Sequence, residues 1–295
     1  MRRILVTGAN KGIGLAIVTA ILEQHGDTFV LLGARDVDRG RAARDGLLTA
    51  HPEWSDRVEV VALDVASDAS VAAAARHVAA RFEGEATPLH AVVNNAGIGL
   101  AGAEPRQVLE VNTLGVRRVC EAFLPQVRPA GGRIVSITSA SGPSYVRSCS
   151  PARQRLLTDP AVTWSQLAAL IDEYLGLRGA EAFAEAGLGD GDPYGFSKAC
   201  ANAYTLLLAR EHPGLRINAC TPGFIETDLT RAYAESSGKS PAAMGMKPPA
   251  EGARAPLFLL FGEPEGNGRY YGSDAQRSPL DRYRAPGSEP YTGAP

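Results

Sequence analysis

Ile4-Leu5-Val6-Thr7-Gly8-Ala9-Asn10-Lys11-Gly12-Ile13-Gly14 carries a short apolar run into a glycine-rich turn, and Leu15, Val18, Ile21 and Leu22 then recur at helical spacing. A strand that enters a helix through such a turn can open a dinucleotide-binding unit. Glycines allow the tight turn and a close approach of backbone to a pyrophosphate, which the free N–H groups and dipole of the helix N-terminus then stabilise. The spacing is GxxxGxG rather than GxGxxG. The strand before it and the helix after it therefore supply context that the glycines alone lack.

Outward from this turn, Phe29–Leu32, Val58–Val61, Leu89–Val93, Ile134–Ile137 and Arg216–Cys220 are short β-rich runs, several of them continuously apolar, as strands buried on both faces should be. Helical patterns lie between them; Val71, Ala74, Ala75 and Val78 form one such stripe behind a possible cap at Ser67. The alternation predicts an α/β fold, a single doubly wound parallel sheet with helices on both faces. Two stretches break the rhythm. Residues 144–193 are read as a helical insertion, with Thr163 and Gln166 as a capping box and Leu167, Leu170, Ile171, Tyr174 and Leu175 as its apolar face. Residues 273–295 read as an irregular Pro- and Gly-rich tail after a domain spanning 1–272.

The end of the second strand reads Gly33-Ala34-Arg35 where an NAD-binding chain usually has Asp or Glu. Arg35 could hold a 2′-phosphate through its planar fork, and Lys11 could add a second positive charge, so NADP(H) is expected. Asp36 next door would favour NAD if its side chain faced the ribose instead. Asp64-Val65 after the third strand and Asn94-Asn95-Ala96-Gly97 after the fourth fall where open parallel sheets bind ligands, at the carboxyl ends of strands. Asp64 suits the adenine amino group, with a turn or helix cap as its plainer role. Asn94, Ala96 and Gly97 can bond strand ends together and let a cofactor lie close.

Tyr194-Gly195-Phe196-Ser197-Lys198 opens a helix behind Pro193, and i,i+4 spacing puts the phenol and the ammonium on one face. A phenol is a poor base near neutrality, but a nearby ammonium favours the phenolate and lets Tyr194 give or take a proton. Ser139 ends the fifth strand, and Asn112 comes from another element to the same sheet edge. A hydroxyl there can hold a substrate oxygen beside the tyrosine.

Thr7-Gly8-x-x-x-Gly12-x-Gly14, Asn94-Asn95-Ala96-Gly97, Asn112, Ser139, Tyr194-x-x-x-Lys198 and Pro222-Gly223, in this order, resemble the short-chain dehydrogenase/reductase family over about residues 1–272. Asn10-Lys11-Gly12-Ile13-Gly14, Ala34-Arg35-Asp36-Val37, the long interval from Ser139 to Tyr194 and Asn218–Gly223 are similar to its carbonyl reductase branch. The resemblance implies NADPH, proton donation by Tyr194 and substrate orientation by Ser139. It gives Lys198 the nicotinamide ribose and a lowering of the tyrosine pKa, and it has Asn112 hold a water in a relay to Lys198. Pro222, Gly223 and Thr227 would contact the nicotinamide end. The substrate would be a small aldehyde, ketone or quinone. The insertion would cover the helices through which other members dimerise, which implies a monomer. The loop from Ile98 to Gln107 is shorter than the family's, and the tail after Gly272 departs from it.

Composition narrows the rest. With 45% hydrophobic and 21% charged residues in 295, the chain can bury a sizeable core, and a formal net charge of −2 gives no sign of nucleic acid or an anionic membrane as partner. Cys120, Cys149, Cys200 and Cys220 lack the paired close spacing of a zinc site, so no metal is expected and the thiols read as reduced. The first residues form an apolar run too short for a signal peptide, and no window reaches a membrane span; a soluble, cytoplasmic protein is expected. Two other readings compete: a non-catalytic NADP(H)-binding sensor or partner-binding protein, and an isomerase or dehydratase on the same scaffold.

Overall fold

The strands form where the apolar runs predict them: β1 (Arg2–Val6), β2 (Thr28–Ala34), β3 (Val58–Ala62), β4 (Leu89–Asn94), β5 (Arg133–Ile137) and β6 (Arg216–Cys220), followed by the short pair β7 (Tyr270–Tyr271) and β8 (Arg277–Ser278). The computed structural model describes residues 1–99 and 103–293. The shortened loop expected between Ile98 and Gln107 lies partly outside them. Among the described residues the strands make one sheet in the order β3-β2-β1-β4-β5-β6-β7-β8. Every pairing is parallel except β7 with β8. The order reverses between β1 and β4, so the turns after these two strands flank the switch point where doubly wound sheets take their ligands.

Alternate residues of each strand feed opposite cores. Leu5, Leu31, Val92, Ile134 and Ile217 pack on one face and Ile4, Val6, Val30, Leu32 and Val135 on the other. The helices that cover these faces are α1 (Gly12–Gln24), α2 (Val37–Ala50), α3 (Asp68–Arg81), α4 (Pro105–Leu109), α5 (Gly115–Phe123), α6 (Ser141–Ser148), α7 (Pro151–Thr158), α8 (Trp164–Gly176), α9 (Ala180–Glu185), α10 (Pro193–Glu211), α11 (Asp228–Ser236) and α12 (Arg254–Phe261). Burying one large aliphatic side chain contributes about 1.5–3 kcal/mol, which is why strands fully covered on both sides are continuously apolar. No helix among the described residues is long and apolar enough to cross a membrane.

The insertion holds more helix than its sequence pattern announced. The capping box of Thr163 and Gln166 starts α8, and Leu167, Leu170, Ile171 and Tyr174 are its buried residues, but α6, α7 and α9 flank it. These helices are eight residues or fewer, too short to display a full apolar period. Helix α8 packs on α10, where the Tyr174 ring stacks on Phe196 at 4.0 Å between centroids, and the Arg117 guanidinium of α5 lies 4.0 Å over the Trp164 ring.

The tail is not irregular throughout. Gly272 N donates to Gln276 O, the chain turns through Ala275 at φ 61°, and β8 pairs with β7. Arg277, Ser278 and Leu280 are buried. Two-residue strands have no period to read, and their pairing depends on a contact with β7 that is invisible in the local sequence.

Candidate active site

The turn after β1 is shaped for close approach. Gly8 has φ 62°, and a Cβ there would lie 2.9 Å from the Ala96 Cα. At Gly14 a Cβ would meet Asn95 Nδ2 and Gly8 O at 2.5 Å, so no side chain fits. Thr7 Oγ1 accepts from Asn95 N at 3.0 Å and Ala96 N at 2.9 Å, while Asn95 Nδ2 donates to Thr7 O at 2.9 Å and Gly8 O at 3.2 Å. The turns after β1 and β4 are thereby tied together. Helix α1 starts at Gly12 with no side-chain cap and no acidic residue in its first turn. Its first N–H groups thus have no side-chain acceptor, and this end fits a dinucleotide pyrophosphate.

Asn94 departs from expectation. Its side chain turns into the helical layer, where Nδ2 lies 3.3 Å from the Cys120 Sγ. Successive strand residues point to opposite faces, so the strand-tying role passes to Asn95 one position on. A polar residue on the ligand side of a strand end is a signal that the sequence carried in both asparagines without deciding between them.

At the end of β2, Asp36 accepts from Asp38 N and Arg39 N, both at 3.1 Å, as the N-cap of α2. Its carboxylate is engaged by its own helix, while Arg35 is exposed with no hydrogen bond or ion pair among the described residues. Lys11, also exposed, meets an acidic side chain. Its Nζ sits 2.6 Å from Asp228 Oδ2, a contact between the glycine turn and α11, and this cation holds the Asp228 carboxyl below its usual pKa. Asp64 spends Oδ1 on Ala66 N at 3.0 Å, the turn-capping role, and Val65 is buried against Gly115. Thr227 packs over the turn, its Cγ2 3.4 Å from where a Gly12 Cβ would be. Gly223 N, following Pro222, donates to Thr221 Oγ1 at 3.2 Å.

Asp192 caps α10 by accepting from Tyr194 N at 3.1 Å and Gly195 N at 2.9 Å, with Pro193 at the first helical position. This fixes Tyr194 at the helix entrance. Ser139, on the loop after β5, lies beside the phenol and favours its ionised form, although its well-formed hydrogen bonds are with Ser141 N at 3.1 Å and Ser141 Oγ at 3.2 Å. Burial outweighs this and raises the Tyr194 pKa above the ordinary phenol value, helped by the nearby Asp192 carboxylate. One turn along α10, Lys198 is buried with Nζ 3.3 Å from Ile137 O and 5.6 Å from the Tyr194 ring centroid. Burial pulls its pKa down to about 8. Burial thus shifts both groups toward their neutral forms, although a lysine at about 8 still carries its charge near neutrality.

Asn112 lies in a π-helical turn, Glu110–Leu114, between α4 and α5. Such turns are rare and recur at functional sites. Its amide is fully used: Oδ1 accepts from Ile98 N at 2.9 Å, and Nδ2 donates to Ile98 O at 3.0 Å and Ser197 Oγ at 3.1 Å. It makes no direct bond to Lys198, but both border Gly97, whose Cβ would lie 3.3 Å from Asn112 Oδ1 and 3.4 Å from Lys198 Nζ. Ser139 from the loop after β5, Tyr194 and Lys198 from α10 and Asn112 from the π-helical turn therefore converge at the carboxyl edge of the sheet.

A cavity of about 380 Å³ opens next to Ser139 and runs between the loop after β6 and the C-terminal segment, with Tyr270, Arg282 and Tyr283 in its wall. The sequence pattern pointed to none of these three.

Comparison with known proteins adds an independent line. A family model described as short chain dehydrogenase matches residues 2–151. Human carbonyl reductase [NADPH] 1 is 30% identical over 285 residues, covering 90% of this chain and 92% of its own length. Rat carbonyl reductase [NADPH] 3 is 31% identical over 277 residues, covering 88% and 91%. Among solved structures, salutaridine reductase from Papaver somniferum superposes with a TM-score of 0.74 at 25% identity over 92% of this chain and 99% of its own. NADPH-bound carbonyl reductase from chicken fatty liver, at 23% identity, shares the fold with a TM-score of 0.64 over 94% and 98%.

Proposed function

Since the chain belongs to the short-chain dehydrogenase/reductase family, we propose that it is an NADPH-dependent carbonyl reductase acting on a small aldehyde, ketone or quinone. The observation that carries this reading is the convergence of Ser139, Tyr194 and Lys198 beside the glycine turn. When bound, NADPH supplies the hydride. Ser139 Oγ donates a hydrogen bond to the substrate carbonyl oxygen and stabilises the charge that develops on it. Tyr194 Oη gives its proton to the same oxygen. A raised phenol pKa serves this direction, because the group enters the reaction protonated. Lys198 holds the ribose, and Asn112 shapes the backbone at Ile98 beside it. Residues 1–272 carry the reaction, and the tail completes the cleft through residues between Ser273 and Pro286.

Arg35 selects the cofactor. A charge-assisted hydrogen bond contributes roughly 1.5–3 kcal/mol, so NADPH should exceed NADH in kcat/KM by at least about tenfold. Arg35→Asp should reverse the ratio. Equal kcat/KM for the two cofactors in the parent protein would sink the assignment.

The protein acts as a monomer in the cytoplasm. Four buried free thiols, Cys120, Cys149, Cys200 and Cys220, suit a reducing compartment. The packing of α8 on α10 supports the monomer, since it covers the face of the catalytic helix with aromatic side chains of the same chain. Static light scattering at micromolar concentration should return one chain mass; a stable dimer or tetramer would contradict it.

A further inference from the structure

The cleft beside Ser139 has a wall that the rest of the fold does not provide. Arg284, whose side chain is 6% exposed, donates to both carboxylate oxygens of Asp274 at 3.1 and 2.9 Å and to Glu289 O at 2.9 Å. Asp274 Oδ2 also accepts from Gly287 N at 2.9 Å. Removing either partner would leave a largely buried charge uncompensated, so this pair fastens the C-terminal segment to the turn between β7 and β8. Fastened there, the segment presents Arg282 and Tyr283 to the cavity.

Two features of the lining are unusual for the chain. Large exposed hydrophobic side chains are few among the described residues, yet Phe224 at 41% and Tyr283 at 54% both line this cavity. The second feature is charge. In a chain of net −2, the lining has Lys247, Arg254, Arg282 and Arg284 against Glu251 and Asp274. Arg284 and Asp274 neutralise each other, and Arg282 pairs with its exposed neighbour Asp281. Lys247 and Arg254 are exposed and have no acidic partner within ion-pair distance among the described residues; Glu251, exposed in the same lining, has no basic partner either, which leaves an excess of one positive charge. A net excess of one sign between low-dielectric walls concentrates the opposite charge.

We propose that the C-terminal segment is the specificity wall of the cleft and that the substrate is a carbonyl compound with an apolar, flat body and an anionic group. Tyr283 and Phe224 flank the body; Arg254 and Lys247 receive the anion. This rests on the reductase reading above.

Two probes isolate it: 4-carboxybenzaldehyde and methyl 4-formylbenzoate share the ring and the aldehyde and differ in charge. Assayed with NADPH at low ionic strength, the acid should have a KM about fivefold below that of the ester, in line with partly exposed ion pairs. The difference should shrink in high salt. Arg254→Gln should raise KM for the acid alone, and Tyr283→Ala should raise it for both probes by about fivefold with kcat little changed. Calorimetric titration of the two probes reads the same ratio without turnover. If both probes are reduced with equal KM, or if Arg254→Gln affects them alike, the cleft inference is overturned while the reductase reading stands. If neither is reduced but the acid binds more tightly, the reductase reading fails and the cleft inference stands. Unchanged KM values in Tyr283→Ala would remove the C-terminal segment from the specificity wall.

Discussion

Tyr194→Phe is expected to lower kcat at least about a hundredfold while leaving NADPH affinity near the parent value, since a positioned general acid contributes about 10²–10⁴ in rate. The substitution removes one hydroxyl from a side chain held at the entrance of α10 by the Asp192 cap, so the ring keeps its place over Lys198. Ser139 remains to orient the carbonyl but has no proton of suitable acidity to give. The deficit should fall on kcat and kcat/KM together, the signature of an interaction made in the transition state. A variant that kept more than about a tenth of parental kcat, a barrier change under ~1.4 kcal/mol, would show that Tyr194 is not the proton donor.

That such a residue could be singled out in the sequence follows from how this fold stores information. The strands announce themselves because both faces of the sheet are buried, which leaves continuous apolar runs such as Phe29–Leu32. Tyr194 and Lys198 are legible because four-residue spacing on a helix fixes their common face before any tertiary contact is known. Contacts between distant segments are a different matter. Lys11 reads as a phosphate ligand, but its ion pair with an acidic side chain 217 positions further on is marked by no local pattern at Asp228. The choice between Asn94 and Asn95 depends on the phase of β4 at its last residue. The wall of the cleft depends on Arg284 finding Asp274 across a turn, in a stretch whose Pro and Gly content gives neither a helical nor an extended period.

Lys198 offers the sharpest separation between stability and function. Its folded-state pKa is pulled down to about 8 from an ordinary 10.5 by burial, so the unfolded chain binds the proton more tightly. The penalty on the folded state is complete below about pH 8 and disappears above about 10.5, as the lysine becomes neutral in both states. Lys198→Met, an unbranched apolar side chain of similar volume and one atom shorter, should therefore stabilise the cofactor-free protein at pH 7 by on the order of 3 kcal/mol. Its advantage over the parent should shrink as pH rises through that window. The same variant should lose both NADPH affinity and at least about a hundredfold in kcat/KM, because the buried group is proposed to hold the ribose next to Tyr194. Denaturant melts of parent and variant at pH 7 and pH 10, read with cofactor titrations, test both halves. Equal stability at pH 7 would mean that the buried lysine is not strained by its surroundings, and undiminished NADPH binding would remove it from the cofactor site.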